Sequence, residues 1–223
     1  HGKFRRQRQM CIRDSNIEDQ PDVFTQCTQT IIRQVEDIGR MVDEFASFAR
    51  MPKPVMREFD AADIVSQAVF LQRIAHPEIS YRFEQEGTLM MVGDKRQLSQ
   101  ALTNALKNAQ EAVSIKDPDQ ANAVIEVRLE TSDNELKISV FDNGPGWPKK
   151  NRYSLVEPYN TSRAQGTGLG LSIVKKVMED HNGFLLLEDA PWCASGGTGA
   201  GLILVFPLHH KETVGHSRVL EET

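Results

Sequence analysis

The stretch GTGLGLSIV, residues 166–174, decides how the rest of this sequence is interpreted. Three glycines alternate with other residues, and the apolar spacing of a helix follows at once. Glycine tolerates a positive φ and lets a ligand approach the backbone closely. The start of a helix offers unpaired N–H groups and the positive end of the helix dipole, and both suit phosphate. Taken alone, such a cluster is more often a turn or a helix cap, so its meaning depends on the other motifs.

The composition bounds the class of protein. The 223 residues are 39% hydrophobic and 26% charged, as in ordinary soluble globular proteins, and suffice for one substantial domain plus an accessory element. The net charge of −5 argues against nucleic acid as a partner. Three separated cysteines without a C-x-x-C pair argue against a zinc knuckle and fit a reducing compartment. Because no apolar run reaches the ~18–20 residues that span a bilayer, we expect a cytoplasmic segment without membrane contact.

The N-terminal fifty residues divide into two parts. Residues 1–20 lack an apolar period, and we interpret them as a disordered or non-native leader. Residues 21–50 carry a heptad stripe, which predicts one long helix that begins at Pro21 and ends before Pro52. The stripe consists of Ile31, Val35, Ile38, Val42, Phe45 and Ala49. Such a helix needs a partner, which we expect from another subunit, from missing sequence, or from both.

From residue 55 the pattern is mixed α/β. We predict a helix capped by Asp60, with apolar positions at Ile64, Val65, Ala68 and Leu71, and a second helix capped by Asp94 that runs to about Ser114. A third helix is predicted from the glycine cluster to His181, where the turn Asn182-Gly183 ends it. Residues 132–134 join two alternating segments into an antiparallel hairpin. Strands are predicted at 55–59, 78–84, 89–92, 124–131, 136–141, 184–187 and 202–208. The last fifteen residues are polar, and we expect a flexible tail.

The second of these helices carries an unusual polar face. Asn104, Asn108 and Glu111 follow one another at i, i+4 and i+7 and therefore share one side. Asparagine is up to about 0.7 kcal/mol worse than alanine inside a helix, so two of them on one face require a reason. An amide oxygen is a suitable ligand for Mg²⁺, which usually also binds a nucleotide's phosphates. A solvated polar stripe is the alternative, and the residues alone leave both interpretations open.

A second motif, Asp142-Asn143-Gly144-Pro145-Gly146, follows a strand. It is compatible with a plain turn. It is also compatible with a base-binding site, because a partly buried carboxylate at Asp142 can accept a hydrogen bond from the exocyclic amine of adenine. Guanine presents an oxygen there, and the unpaired acceptors would cost about 1–3 kcal/mol.

Two further segments accompany these motifs. The stretch 149–163 is basic and hydroxyl-rich, and is either a solvated loop or a lid that closes over a triphosphate. The stretch 196–201 is glycine-rich, and is either a flexible loop or a place where the backbone must leave room for a base.

A dinucleotide-binding fold is excluded, because residues 160–165 cannot form the buried strand it needs and Leu171 stands where a third glycine is required. The sequence also lacks the G-K-[ST] of a P-loop.

In order along the chain, these motifs resemble those of the catalytic ATP-binding domain of sensor histidine kinases, within the superfamily that includes gyrase, the HSP90 chaperones and the mismatch-repair ATPases. Residues 104–112 resemble the N box, 142–146 the first glycine box, 156–159 the F box, 166–170 the second glycine box and 197–201 the third. The helix and its FARMPKP ending at residues 48–54 resemble the nitrogen-regulation sensor kinases of the NtrY type. The resemblance implies an α+β fold of the Bergerat type: a two-layer sandwich, with helices on one face of a mixed sheet, preceded by the long heptad helix.

The resemblance also implies roles for individual residues. Asn108 would hold Mg²⁺, Asn104 would lie beside the phosphates of ATP or ADP, and Asp142 would bind adenine. Thr161 and Arg163 would contact phosphate, and Thr198 would orient the base. The residues expected to shape the nucleotide pocket are Gly144, Gly146, Gly166, Gly168, Leu169 and Gly170.

By the same resemblance, residues 21–51 form the second helix of a dimerisation and phosphotransfer hairpin, residues 52–210 the catalytic domain, and 211–223 a tail. No histidine before the linker has the context of a phosphoacceptor, so we expect a protein-histidine kinase without its first hairpin helix. The expected partners are a response-regulator receiver domain and a second copy bound through helix 21–50. The full-length protein would be a membrane-bound sensor. Two alternatives are a chaperone- or topoisomerase-like ATPase and a degenerate dimerising module.

Overall fold

A computed structural model describes residues 21–49, 51–85, 87–117, 122–132, 134–158, 168–195 and 197–208. The chain forms two compact units, divided between residues 50 and 51. The predictions for residues 1–20 and 209–223 concern parts of the chain outside these ranges. Among the described residues, no helix combines the length and the apolar character needed to cross a membrane.

In the first unit, the described residues form a helix, α1 (Pro21–Ala49), as the heptad spacing predicts. Its apolar stripe lies open: Ile31, Val35 and Ile38 are each about 60% exposed, and Val42 and Phe45 are also exposed. The other sides of the helix carry charged and amide residues, such as Arg33, Gln34 and Glu36. Within this unit, therefore, no described side chain buries the stripe.

In the second unit, the described residues form two sheets and three α-helices. In chain order the elements are β1 (Arg57–Asp60), α2 (Ala61–Ala75), β2 (Ser80–Gln85), β3 (Met90–Gly93), α3 (Lys95–Lys116), β4 (Val124–Ser132), β5 (Glu135–Asp142), α4 (Gly170–Asp180), β6 (Phe184–Asp189) and β7 (Ala200–Pro207). Strands β1 and β3 pair antiparallel in a small sheet. The main sheet has the order β2-β4-β5-β7-β6, in which only β2 and β4 run parallel. The predicted mixed sheet is therefore confirmed.

Strand alternation divides the main sheet into two faces. One face carries Ile125, Val127, Ile138 and Leu204, which pack with α2, α3 and α4 in the main core. The other face carries a smaller cluster of Phe141, Ala190, Ile203 and Val205. A short 3-10 helix, Pro191–Ser195, covers part of it with Trp192 and Cys193. The second face thus supports the loop that leads into β7.

The start of α3 is joined to the linker that precedes β1. Asp94 caps α3 by accepting hydrogen bonds from the N–H groups of Arg96 (2.9 Å) and Gln97 (3.2 Å). Its other oxygen accepts from the N–H of Val55 at 2.8 Å. The side-chain amide of Gln97 donates to the carbonyl of Pro52 and to Asp180, both at 3.2 Å. The linker from Pro52 to Val55 is therefore hydrogen-bonded to the start of α3, which is itself hydrogen-bonded to the end of α4.

His181 completes this junction at the end of α4. Its Nε2 accepts from the N–H of Asp94 at 2.9 Å, and its Nδ1 lies 2.8 Å from the carbonyl of Val177. Since a carbonyl only accepts and the N–H of Asp94 only donates, these contacts match the tautomer that carries its proton on Nδ1. The histidine that ends the predicted third helix is thus a buried structural residue.

The predicted elements agree with the structure except in details. The first strand begins two residues later than predicted, because the N–H of Val55 binds the Asp94 carboxylate and not a strand partner. Leu71, on the predicted apolar spacing of α2, is 64% exposed. The segment after the first glycine box contains an unpredicted 3-10 helix, Arg152–Val156.

Candidate nucleotide-binding site

The polar face of α3 meets the start of α4. Asn104, Asn108 and Glu111 are half-buried, and the Asn104 amide donates to the carbonyl of Gln100 at 2.9 Å. A Cβ built on Gly170, the first residue of α4, would lie 3.4 Å from Oδ1 of Asn104 and 3.6 Å from both amide atoms of Asn108. The third glycine of the cluster therefore faces both asparagines, and its missing side chain leaves space beside two amide groups.

The residues just before Gly170 adopt the conformation of a helix start. Gly168 has a φ of +70°, which glycine adopts readily and which strains other residues. Leu169 is buried, and its carbonyl accepts from the hydroxyl of Ser172 at 2.8 Å. The buried side chain of Leu169 therefore anchors this turn in the protein interior. The predicted contacts Thr161, Arg163 and Gly166 lie outside the described ranges.

Asp142 lies at the end of β5, beside the last turns of α3. The residue is 5% exposed, and its Oδ1 accepts from the N–H of Gly144 at 2.8 Å and of Ala200 at 3.4 Å. A Cβ on Gly144 would lie 2.9 Å from the carbonyl carbon of Ala112 on α3. Only glycine fits between the carboxylate and the helix, so the loop after Asp142 is held close against α3.

The glycine-rich loop before β7 packs against the same place. A Cβ on Gly199 would lie only 2.0 Å from the carbonyl oxygen of Asp142, and one on Gly146 (φ +84°) would lie 3.2 Å from the carbonyl oxygen of Gly199. Two loops separated by more than fifty residues thus approach backbone to backbone. The segment that resembles the third glycine box therefore packs against the loop after Asp142, and its glycines permit the close approach.

Thr198 has a defined role in joining these loops. Its hydroxyl donates to the carbonyl of Gly144 at 3.0 Å and accepts from Nζ of Lys116 at 2.8 Å. A hydroxyl has one hydrogen to donate, and here Gly144 receives it. In this arrangement Thr198 can meet a ligand only as an acceptor. Lys116 was missed by sequence reasoning, because its partners are 27 and 82 residues away along the chain and no motif includes it.

The basic stretch predicted as a loop or lid is anchored at its first half. Arg152 donates to the carbonyl of Leu187 at 3.2 Å and to the carboxylate of Asp189 at 2.6 Å, both on β6. An open cavity of about 570 Å³ lies beside it, bordered by Lys149, Asn151, Arg152, Tyr153, Ser154 and Leu187. Of the residues predicted to bind nucleotide, none that the structure describes borders this cavity, so we place the candidate site along α3.

The site residues thus form two groups along one helix. Asn104, Asn108 and Gly170 form one group, and Asp142 with its glycine loops forms the other near Ala112. From Asn104 to Ala112 the helix rises about 12 Å. The arrangement offers amide and backbone groups at one end and a buried carboxylate at the other, which suits an elongated ligand with chemically different ends.

Comparison with known proteins identifies the family. Residues 93–210 match the family described as histidine kinase-, DNA gyrase B- and HSP90-like ATPase. Over 177 residues the chain is 50% identical to the nitrogen regulation protein NtrY of Azorhizobium caulinodans, which covers 79% of this chain and 23% of the relative. The chain spans only about a quarter, 23% and 26%, of the length of the first curated relatives it matches.

Solved structures show the same fold. The mycobacterial sensor histidine kinase MprB superposes with a TM-score of 0.60 at 27% identity, over 70% of this chain and 99% of that one. The histidine kinase ThkA in complex with the response regulator protein TrrA superposes with a TM-score of 0.67 at 19% identity, over 90% of this chain and 56% of that one. The second likeness concerns the fold alone.

Proposed function

The chain belongs to the family of histidine kinase-, DNA gyrase B- and HSP90-like ATPases, and we propose that residues 52–210 are the ATP-binding core of a two-component sensor histidine kinase. In this proposal the core transfers the γ-phosphoryl group of Mg·ATP to a histidine carried on another helix. A response-regulator aspartate then receives the phosphoryl group.

The observation that carries the proposal is the approach of Gly170 to Asn104 and Asn108. Phosphate oxygens favour the N–H groups at the start of α4 and the positive end of its dipole. The amide oxygen of Asn108 is a hard donor that fits Mg²⁺, and Asn104 lies beside the same space. The ion would neutralise charge on the phosphates, while the two amides and the helix start fix their position.

Asp142 supplies the specificity for adenine in this proposal. The carboxylate is buried, and its loop is held by its bonds to the N–H groups of Gly144 and Ala200. A hydrogen bond from the exocyclic amine of adenine would match this acceptor. Guanine would place an oxygen there, and the mismatch would cost about 1–3 kcal/mol.

The side chain at position 104 favours transfer over hydrolysis. By the resemblance, the members of the superfamily that hydrolyse ATP carry a glutamate at this position, and that glutamate activates water. Asn104 has an amide instead, and its Nδ2 donates to the Gln100 carbonyl. An amide cannot accept a proton at neutral pH, so water is not activated by this residue. We therefore expect slow hydrolysis and phosphoryl transfer to a stronger nucleophile, such as neutral imidazole.

The partners proposed for the whole protein follow from the resemblance and from α1. The exposed stripe of α1, which includes Ile31, Val35 and Val42, fits a helix of a second copy in a dimer. A response-regulator receiver domain would accept the phosphoryl group. We place this segment on the cytoplasmic side of a membrane-bound sensor.

Calorimetry with Asp142→Ala tests the proposal. We expect the wild-type chain to bind Mg·ATP and the variant to bind at least about 100-fold more weakly, because it loses the acceptor for adenine and the loop bonds. Asp63→Ala, a surface carboxylate in the first turn of α2, is the control and should bind like the wild type. Undiminished binding in Asp142→Ala would refute the adenine site.

A transfer assay distinguishes kinase from ATPase. The chain is mixed with labelled ATP and a helical hairpin that carries a phosphoacceptor histidine. Label on that histidine supports the kinase. Steady-state ATP turnover without label on the histidine would support an ATPase of the chaperone or topoisomerase kind, and failure to bind adenine nucleotides would support a degenerate dimerising module.

A further inference from the structure

Lys116 joins the two loops at the Asp142 end of the site. It is the last residue of α3 and lies outside every motif that the resemblance identifies. Its Nζ donates to the carbonyl of Asn143 at 2.7 Å and to the hydroxyl of Thr198 at 2.8 Å. One ammonium group therefore links the loop after β5, the loop before β7 and the end of α3.

The same junction is held from its other sides by uncharged groups. The hydroxyl of Thr198 continues to the carbonyl of Gly144, and the indole N–H of Trp192 donates to the Thr198 carbonyl at 3.0 Å. The ring of Trp192 stands edge-on to Phe141, the neighbour of Asp142. Trp147 donates its indole N–H to the carbonyl of Gly201, also at 3.0 Å. The loops are therefore held by side chains around them.

The need for such links follows from the glycines. Gly144 and Gly199 must lack side chains because a Cβ would reach 2.9 and 2.0 Å from neighbouring backbone atoms. A segment without side chains gains little from packing and loses much conformational freedom when it is ordered. Charge-assisted hydrogen bonds, about twice as strong as neutral ones, can supply the missing order.

We propose that Lys116 is a positioning residue that fixes the adenine end of the cleft by holding Asn143 and Thr198 together. The inference rests on the proposed binding of adenine nucleotides. Lys116 acts through the two loops and not on the phosphates, so its effect falls on the part of the ligand common to ATP, ADP and AMP.

The test is calorimetric titration of Lys116→Met, which keeps the alkyl chain and removes the ammonium group. We expect the Kd values for ATP, ADP and AMP to rise by the same factor, about tenfold. This factor corresponds to a loss of about 1.4 kcal/mol of binding free energy, which is the size expected for the hydrogen bonds of an exposed lysine. Lys116→Arg retains a cation at this position and should restore binding to within about threefold of wild type. Lys137→Met, which breaks an exposed ion pair with Glu135 on β5, is the control and should change nothing.

A double-mutant cycle with Thr198→Val isolates the link itself. If Lys116 acts through Thr198, the two substitutions together should weaken binding by less than the product of their separate effects. Lys116→Met that binds all three nucleotides like wild type overturns the inference, as does a loss confined to ATP, which would indicate a phosphate contact. Thermal unfolding of each variant checks folding, and Thr198→Val tests the same link if Lys116→Met does not fold. Failure of the wild-type chain to bind any adenine nucleotide would refute the proposed function.

Discussion

The two ends of α3 each meet a buried aspartate, and the two differ in what surrounds them. Asp94 and Asp142 are both 5% exposed, and both accept backbone N–H groups. Around Asp94 the partners are residues with side chains, namely Val55, Arg96 and Gln97. Around Asp142 the partners are glycine-rich loops. Burial alone therefore does not separate a structural carboxylate from the one that, in our proposal, binds a base.

The groups that pack around each carboxylate make the distinction. At the start of α3 around Asp94, which we call the linker end, His181 and Gln97 pack beside the cap and complete its hydrogen bonds. At the other end of α3, near Asp142, which we call the cleft end, Gly144 and Gly199 occupy positions where a side chain would collide with backbone. The first end is built to be closed by the protein itself. The second brings backbone close together around a carboxylate that, in our proposal, a base approaches. The following predictions test this contrast, from the largest expected effect to the smallest.

Gly199→Ala should have the largest effect. The new methyl would lie 2.0 Å from the carbonyl oxygen of Asp142, so the two loops must separate. We expect a loss of stability at or above the usual 1–3 kcal/mol of overpacking, and loss of detectable ATP binding. Chemical denaturation and calorimetry measure the two effects. Gly39→Ala, with no atom within 4 Å of the added Cβ, is the control and should leave binding unchanged. ATP affinity unchanged in Gly199→Ala would contradict the contrast.

Asp94→Ala should separate stability from binding. The substitution removes the cap of α3 and the acceptor for the N–H of Val55, so we expect the free energy of unfolding to fall by about 2–3 kcal/mol. The folded protein should still bind ATP to within about threefold of wild type, because Asp94 is at the far end of the helix. The control Asp63→Ala, which removes a surface carboxylate on α2, should change neither the free energy of unfolding nor the affinity for ATP. A tenfold loss of ATP affinity in folded Asp94→Ala would show that the two ends are coupled.

The sequence predicts the linker end better than the cleft end. Asp94 as a cap and the turn at Asn182, with φ +54°, follow from local rules and are confirmed. The hairpin of β4 and β5 is equally local. Even here one long-range hydrogen bond matters. Asp94 accepts the N–H of Val55, and the first strand therefore begins later than the local pattern predicts.

At the cleft end the residue types are predictable and their contacts are not. The motifs identify Asn108, Asp142 and the glycines through the resemblance. They do not show that Gly199 lies against the carbonyl of Asp142, or that Lys116 binds Thr198 across 82 residues. Such contacts depend on how β5 and β7 pair, which local spacing does not determine. The exposure of Leu71 has the same origin, because helical spacing does not show which residues a neighbour will cover.

Gly170→Ala should affect binding more than stability. The methyl would lie 3.4 Å from Oδ1 of Asn104 and 3.6 Å from the Asn108 amide, which are ordinary contacts, so the fold should tolerate it. It would, however, occupy space proposed for phosphate and Mg²⁺. We expect ATP to bind about tenfold more weakly, a loss of 1.4 kcal/mol, and AMP to be affected less. Calorimetry with both nucleotides measures this difference. An equal loss for ATP and AMP would place the phosphates elsewhere.

The smallest expected effect is on how the free energy of unfolding falls at acid pH. Burial raises the pKa of Asp94, but the N–H groups of Val55, Gln97 and Arg96, with the nearby Arg96 guanidinium, outweigh it and hold the pKa below its usual value. A carboxyl with a lowered folded-state pKa contributes stability that is fully present above the unfolded pKa of about 3.9. That contribution is lost as the pH falls through the lowered folded-state pKa.

Asp94→Asn isolates this contribution, because it keeps a side-chain oxygen acceptor and removes the titration. Below about pH 4 the free energy of unfolding of the wild type should fall more steeply than that of Asp94→Asn, and the two curves should run parallel at higher pH. Denaturant unfolding across this range measures the difference, in which the titration of all other carboxyl groups cancels. Curves that stay parallel down to the lowest pH at which both fold would mean that the cap draws no stability from its charge. The linker end would then be held by hydrogen-bond geometry alone.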